Sequence, residues 1–278
     1  MTTQEAIKKI QETEFDILQK IEHICKEHDI TYFAVGGSVL GAVRHQGFIP
    51  WDDDIDIAMP RKDYEKFLRY AEEELPEGYF LQTFFTEKNS PFYFTKVRKD
   101  NTKFVECYLR DLDIHHGIFV DIFPFDNVPD NDVIKKLHYK LCRLASHLFL
   151  SKSLTTVRSS ETENNAGYKT FIRKLLHILL LPVPKTLLFR FLDRSVQMFN
   201  NRECKEISHI VRKRLRIKLE DLYPLTELPF GEMIIPVPKN YDAYLTSQYG
   251  DYKNPPEKDN QYGHLPYLIE FQHQEDEK

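Results

Sequence analysis

"GGSVLGAVRHQGFIPWDDDIDIAM", residues 36–59, places four aspartates in five positions beside apolar residues that are typical of a buried strand. Side chains alternate along a strand, so Asp54 and Asp56 are predicted to share one face while Ile55 and Ile57 point into a core. Two carboxylates at about 7 Å Cα spacing repel each other unless cations lie between them. The pattern therefore predicts a metal site. Hard oxygen ligands favour Mg²⁺ or Mn²⁺, and two such ions would suit a phosphoryl displacement.

A calcium-binding loop is the first alternative for this acidic segment. Asp52, Asp54 and Asp56 occupy positions one, three and five of an EF-hand pattern. Position six would then be Ile57, where glycine is needed, and position twelve would be Asp63, where a bidentate glutamate is expected. A solvated acidic loop, the second alternative, does not explain the alternating isoleucines. We therefore favour a catalytic metal site.

A glycine-rich turn precedes the acidic strand. Residues 31–35, "TYFAV", predict a strand, "GGS" predicts a tight turn, and Ser38 is the expected N-cap of a short helix. Glycines let backbone N–H groups approach a phosphate closely, and the positive N-terminus of the helix lies at the same point. The turn alone is weak evidence. Its position, sixteen residues before a D-x-D strand, makes a phosphate-binding role much more specific.

Composition limits the class of protein. The 278 residues and 41% hydrophobic content suffice for one large domain, or for one domain with an insertion. The cysteines are scattered singly, which indicates neither a disulfide framework nor a zinc cluster and favours a reducing cytoplasm. The N-terminus lacks a signal-peptide pattern, and the most apolar run, residues 175–183, falls short of a membrane span. We expect a cytoplasmic protein that binds no nucleic acid.

The chain changes character along its length. Residues 1–128 read as mixed α/β, residues 129–222 as a basic helical subdomain, and residues 223–278 as a segment that returns to the core. The predicted fold class is α+β. Residues 151–218 hold 15 Lys and Arg against 5 Asp and Glu, a local charge of +10. Two interpretations stay open. The region is a surface that binds anionic lipid or a polyanionic acceptor, or it is an ordinary solvated helical surface.

The combination of strand, Gly-Gly-Ser turn, short helix and D-x-D strand resembles the nucleotidyltransferase superfamily. The full stretch of residues 36–59 resembles the signature of the LicD family of phosphocholine transferases, to which fukutin-type glycan phosphotransferases are related. The resemblance continues through "TKVRKDNTKF" (residues 95–104), "GIFVDIFPFD" (residues 117–126) and "YLTSQYGDYKNPP" (residues 244–256). It implies a nucleotidyltransferase-like mixed sheet with flanking helices and an added helical subdomain.

The resemblance implies roles for particular residues. Asp54 and Asp56 match the metal-binding pair, and Asp121 fits an expected third carboxylate that completes the metal site and accepts the proton of the attacking hydroxyl. A structural cap before Pro124 is the alternative for Asp121. The remaining predicted binding residues are Gly37 and Ser38 for phosphate, Arg44, Lys96 and Arg98 for pyrophosphate, and Trp51 for the nucleotide pocket or the core.

Two neighbouring aspartates have a less definite role. Asp52 and Asp53 are not both expected to share the metal-facing side with Asp54, and one of them is expected to orient Arg44 or His45. Tyr249, Tyr252 and His264, in or near the C-terminal motif, are candidates to close over the donor.

The resemblance further implies transfer of phosphocholine from CDP-choline to a sugar hydroxyl, with Mg²⁺ or Mn²⁺ as cofactor and CMP as leaving group. The implied acceptor is a lipid-linked glycan of teichoic acid or lipopolysaccharide type. The basic stretch from Lys169 to Lys218 is then expected to contact the inner membrane surface. Three alternatives stay open: a CDP-ribitol or CDP-glycerol donor, nucleotidyl transfer to a small acceptor, and an inactive membrane-associated scaffold.

Overall fold

Two parallel strands, β2 (Asp56–Pro60) and β6 (Phe119–Val128), form the centre of the main sheet in this computed structural model. The structure describes residues 2–154, 167–211, 215–257, 261, 263 and 266–271. The other strands of the sheet are β1 (Phe33–Ala34), β3 (Tyr79–Gln82), β4 (Thr95–Lys99), β7 (Glu206–Ser208) and β8 (Arg216–Lys218). Their order is β1-β2-β6-β4-β3, with β7 paired to β6 and β8 to β7. Every pair but β2–β6 is antiparallel, so the sheet is mixed.

Helices flank the sheet, which confirms the predicted α+β class. They are α1 (Thr3–Glu27), α2 (Gly36–His45), α3 (Arg61–Glu74), α4 (Asp132–Ser153), α5 (Gly167–Leu179), α6 (Lys185–Val196), α7 (Leu219–Leu222) and α8 (Tyr241–Tyr249). Helix α1 begins with a capping box between Thr2 and Glu5, which satisfies two otherwise free backbone N–H groups. Its apolar face packs on α3, β4 and β6 and is fully buried.

Helix α2 begins earlier than the sequence predicts. Val35 is its N-cap and Gly36 its first residue, so the prediction of Ser38 as N-cap is wrong. Gly36 has a φ of +58°, a left-handed conformation that glycine adopts without a steric penalty. The chain therefore turns from β1 into the helix at the first glycine, and Ser38 lies within the first helical turn.

A second apolar cluster joins the helices of the middle region. Phe149 of α4 packs with Leu192 and Val196 of α6 in this cluster. The predicted helical pattern, which runs to about Arg216, is wrong at its end, because residues 206–208 and 216–218 are the strands β7 and β8. Ile207 and Ile217 face each other across this pair and are buried, as alternation on a half-covered strand requires. The division of the chain at residues 128 and 222 stays a prediction.

The C-terminal region forms a hairpin and a helix. Strands β9 (Thr226–Phe230) and β10 (Met233–Val237) pair with each other, and Gly250 is the C-cap of α8. A short pair joins β5 (Lys103–Val105) to β11 (Leu268–Glu270). Among the described helices none is long and apolar enough to cross a membrane.

Candidate active site

A cleft of about 920 Å³ opens at the N-terminal ends of α2 and β2. Five predicted site residues line it: Gly37, Arg44, Trp51, Asp54 and Asp56. The segment after α8 forms another part of its wall and contributes Tyr249 and Tyr252. His264, the third residue considered there, lies outside the described residues. Motifs from both ends of the chain thus meet at one cleft.

The strand register sets a polar row across the sheet beside this cleft. Asp56 of β2 is the partner of Asp121 of β6, Asp121 is the partner of Lys96 of β4, and Lys96 is the partner of Gln82 of β3. Directly opposed residues on neighbouring strands project to the same face. The predicted pair of Asp56 and Asp121 is therefore brought together by parallel pairing of strands that are far apart in sequence.

Alternation holds around Asp54, although the strand itself begins only at Asp56. Ile55 and Ile57 are each 1% exposed and belong to the main core, while Asp54 and Asp56 are partly exposed at the cleft. The predicted separation of the acidic cleft side from the apolar core side is thus present. Residues 52–55 are irregular backbone, where strict alternation no longer applies.

This irregular backbone changes the expectation for the neighbouring aspartates. One carboxylate oxygen each from Asp52, Asp53 and Asp54 lies within 4.8 Å of the others. The prediction that Asp52 and Asp53 cannot both share the side of Asp54 is therefore wrong, because it assumed a regular strand. Three convergent carboxylates are a ligand set that suits a hard divalent cation.

The two glycines are required by the closeness of these carboxylates. A Cβ on Gly37 would lie 2.7 Å from Oδ2 of Asp52, and a Cβ on Gly36 would lie 3.3 Å from Oδ2 of Asp56. Neither position has room for a larger residue without movement of an aspartate. The Gly-Gly pair thus fits both the turn and the acidic side chains beside it.

Ser38 has a structural contact in the site. Its hydroxyl oxygen accepts a hydrogen bond of 2.8 Å from the backbone N–H of Asp56, and the residue is 4% exposed. The backbone N–H of Gly36 is likewise engaged, since it donates to the hydroxyl of Tyr244 on α8 at 3.0 Å. These bonds tie the start of α2 to the start of β2 and to the C-terminal helix. The predicted phosphate role of Ser38 stays a prediction.

Lys96 and Arg98, predicted to neutralise a pyrophosphate, lie in the protein interior and do not line the cleft. Nζ of Lys96 is 2.8 Å from Oδ1 of Asp121 and 3.5 Å from Oε2 of Glu106. Arg98 donates to Oε1 of Gln82 at 2.7 Å and to the carbonyl of Gly117 at 2.6 Å. Burial lowers the pKa of Arg98. Lys96 is thus a counter-ion of Asp121.

Arg44 and Trp51, two of the predicted binding residues, both line the cleft wall. Nη1 of Arg44 donates to the carbonyl of Tyr252 at 3.1 Å, which links α2 to the segment after α8. Its Nε is buried without a hydrogen-bond partner within the described part of the chain. The Trp51 ring meets the His45 ring edge-on at 6.2 Å between centroids. Burial and the neighbouring Arg44 lower the pKa of His45, so this ring favours its neutral form.

The sequence reasoning missed two residues of α1. Nε2 of Gln11 donates to the carbonyls of Ile49 and Asp52, at 3.2 and 2.9 Å, and so holds both ends of the turn that contains Trp51. Glu14, one helical turn later, is 1% exposed. A signal was available, because Glu14 occupies an apolar position of the helix between Ile10 and Ile17. A glutamate at that position is buried, and a buried carboxyl group is uncommon unless it has a charged or hydrogen-bonding partner.

Comparison with known proteins finds one matching family model and several similar proteins. Residues 29–156 match a family model described as "LicD/FKTN/FKRP, nucleotidyltransferase domain". The chain is 27% identical over 259 residues to the lipopolysaccharide cholinephosphotransferase LicD of Haemophilus influenzae, covering 90% of this chain and 92% of that protein. It is 29% identical over 126 residues to an uncharacterized protein of Rickettsia typhi, covering 45% of this chain and 38% of that protein. Helix α1 lies outside the matched domain.

Proposed function

This chain carries a nucleotidyltransferase domain of the LicD family, and we propose that it is a phosphotransferase that moves phosphocholine from CDP-choline to a sugar hydroxyl. The observation that carries the proposal is the register of Asp56 with Asp121, beside a cleft that Asp54 and Gly37 line. The similarity to a lipopolysaccharide cholinephosphotransferase supports phosphocholine as the transferred group and a glycan as the acceptor. We take the acceptor to be a lipid-linked precursor of teichoic acid or lipopolysaccharide type.

The carboxylates of the site fit a divalent cation. Asp54 and Asp56, with Asp121 beside them, would hold Mg²⁺ or Mn²⁺, whose charge would offset that of the pyrophosphate. The oxygen of the sugar hydroxyl would attack the phosphorus that bears choline. The bond between this phosphorus and the bridging oxygen of CMP would break, and CMP would leave with the electron pair of that bond. Asp121 is the proposed acceptor of the hydroxyl proton, and Lys96 holds its carboxylate in place at 2.8 Å.

The cleft also contains groups for substrate orientation. Gly36 and Gly37 bring backbone close to the acidic side chains, where the N-terminus of α2 favours negative charge. Arg44 and Trp51 line the cleft wall. Arg44 would bind a phosphate, and Trp51 would offer a flat apolar surface to a base. Rate acceleration would come mainly from positioning and from charge placed in advance of the reaction.

A direct test measures CMP release from CDP-choline with Mg²⁺ and a glycan acceptor. Asp56→Asn should lower kcat at least about 100-fold, with a circular dichroism spectrum like that of the wild type. Asp251→Asn, a second aspartate of the cleft wall, is the matched control and should retain most activity. Full turnover by Asp56→Asn would contradict the metal mechanism.

A donor screen separates the remaining alternatives. CDP-ribitol, CDP-glycerol and nucleoside triphosphates are offered in place of CDP-choline. Release of CMP only from CDP-choline is the expected result. Pyrophosphate release from a triphosphate would indicate nucleotidyl transfer, and the lack of turnover with every donor would favour a scaffold.

We also propose contact with an anionic membrane surface, through an apolar face of α5. Phe171, Ile172, Leu175, Ile178 and Leu179 recur at helical spacing and are 47–67% exposed. The opposite side carries His177, whose Nδ1 lies 3.1 Å from the carbonyl oxygen of Ser151 on α4. Just after α5, the carbonyls of Leu180 and Leu181 accept hydrogen bonds of 2.9 Å from Nζ of Lys152 on α4. The apolar side chains are therefore presented outward.

Charge complementarity selects anionic lipid as the partner of this face. Among the residues of α4, α5 and α6 whose exposure is described, the exposed Lys and Arg residues are Lys136, Lys140, Arg143, Lys174, Arg190 and Arg194. An amphipathic helix with basic flanks is typical of interfacial membrane binding. The predicted basic stretch from Lys169 to Lys218 also contains Arg212, Lys213 and Arg214, which lie outside the described residues, and Arg216, which is on strand β8.

Vesicle flotation tests this contact. Wild-type protein should float with phosphatidylglycerol vesicles and much less with phosphatidylcholine vesicles. A Phe171→Ser/Leu175→Ser/Ile178→Ser variant should lose at least about tenfold in partitioning, by burial of apolar area. Ile234→Ser, which removes a 58% exposed residue of the β9–β10 hairpin, is the control. Equal flotation of the triple variant, or a dimer that the triple variant abolishes, would contradict membrane contact.

A further inference from the structure

Helix α1 places one more carboxylate near the acidic segment. Glu14 lies on the buried face of α1 and is 1% exposed. Its Oε2 is buried without a hydrogen-bond partner within the described residues. An ionised carboxylate in that state is costly to bury, so either a proton or a cation is expected to neutralise it.

The surroundings of Glu14 are acidic. The charges that act on it are those of Asp54, Asp53, Asp52 and Asp121, in decreasing order. Burial, together with these four charges, raises the pKa of Glu14 well above its usual value. Three of these four charges belong to the carboxylates that converge within 4.8 Å, so Glu14 lies within electrostatic reach of that cluster.

The position of Glu14 relative to this segment is held by a neighbour on the same helix. Gln11 lies one turn earlier on α1 and donates to the backbone carbonyl of Asp52 at 2.9 Å. Residues three apart on a helix share a face. The Gln11 contact therefore anchors this face of α1 on the acidic segment, and Glu14 projects from the next turn.

We propose that Glu14, with Asp52, Asp53 and Asp54, forms a divalent-cation site to which α1 supplies the fourth carboxylate. This inference rests on the proposed metal dependence and extends it to a residue outside the matched domain. It also assigns a role to Asp52 and Asp53, which precede the catalytic pair in sequence, and it shares Asp54 with that pair. Four oxygen ligands from carboxylates suit Mn²⁺ or Mg²⁺ and leave positions for water.

Cation binding to the full chain, without donor or acceptor, tests the inference. Mn²⁺ is titrated against wild-type protein, and free Mn²⁺ is followed by electron paramagnetic resonance. Glu14→Gln should weaken one class of bound Mn²⁺ by about 10- to 100-fold. It should also reduce the rise in Tm that Mn²⁺ produces in the wild type. Glu12→Gln, whose side chain is 63% exposed on the same helix, is the matched control and should change neither quantity.

A double-mutant cycle keeps the test independent of folding defects. If Glu14 and Asp53 serve one ion, Glu14→Gln/Asp53→Asn should weaken Mn²⁺ binding little more than either single change. Unchanged Mn²⁺ affinity in Glu14→Gln, or a fully additive double variant, would overturn the inference. Asp56→Asn separates the two proposals, because it should abolish CMP release while the Glu14-dependent Mn²⁺ class remains.

Discussion

The buried ion pair between Lys96 and Asp121 gives a quantitative prediction about the site. Lys96→Met keeps the length of the side chain and removes its charge, so Asp121, which is 5% exposed, stays buried without this counter-ion. At the 2.8 Å separation of Nζ and Oδ1, Coulomb attraction amounts to about 6 kcal/mol at an effective dielectric constant of about 20. Desolvation of both groups offsets part of this. The expected loss in the free energy of unfolding is about 3–5 kcal/mol.

Two further variants show how much of the loss in the free energy of unfolding is due to burial of the ion pair. Lys96→Met/Asp121→Asn removes both charges and should recover much of the lost stability, since a neutral pair need not be compensated. Lys103→Met breaks an exposed pair with Glu270 at 2.7 Å and should cost no more than about 1 kcal/mol. The two pairs have nearly equal lengths and differ in burial.

Urea denaturation, followed by circular dichroism, provides the free energies. Excess Mg²⁺ should restore part of the stability of Lys96→Met, because a cation near Asp56 and Asp121 replaces the missing positive charge. A loss below about 1 kcal/mol in Lys96→Met, or a double variant as unstable as the single one, would refute the reasoning. In either case Lys96 would not be the counter-ion that the geometry indicates.

Two other substitutions test the contacts around the glycine turn. Gly37→Ala should lower the rate of CMP release about tenfold or more by displacing Asp52 from its 2.7 Å approach, with little change in Tm, because only a side chain must move. Gly47→Ala, where the nearest atom is 3.5 Å away, is its control, and equal rates in the two variants would contradict the argument. Tyr244→Phe should destabilise the fold by about 1–3 kcal/mol in urea, because the buried N–H of Gly36 loses its acceptor. Tyr241→Phe on the same helix should cost less, and equal losses would show that the Gly36 contact is not responsible.

Local patterns predicted much of the fold. The helical spacing of apolar residues predicted α1, alternation predicted which aspartates avoid the core, and Asn240 and Gly250 marked the ends of α8. The errors have local causes as well. The residue type of Ser38 favours an N-cap, whereas the left-handed conformation of Gly36 lets the helix begin earlier. Residues 206–208 and 216–218 lie in a region of helical sequence pattern, but they form strands because β7 pairs with β6 and β8 pairs with β7.

Asp52, Asp53 and Glu14 show where local patterns end. Regular alternation would have put Asp53 on the side opposite to Asp52 and Asp54, but the backbone is irregular until Asp56. Glu14 belongs to another helix, and only packing of α1 against the acidic segment sets it near those charges.

The sequence by itself determined that Asp54 and Asp56 face away from the core and that glycines precede them, because strand alternation and backbone freedom are local properties. Only the tertiary structure decided that Asp121 lies beside Asp56 and that Lys96 is its counter-ion. Register between strands separated by some sixty residues depends on how the whole sheet buries its apolar faces. Lys96 and Arg98 were predicted to bind a pyrophosphate. The same packing buries both side chains, where Lys96 pairs with Asp121 and Arg98 with Gln82.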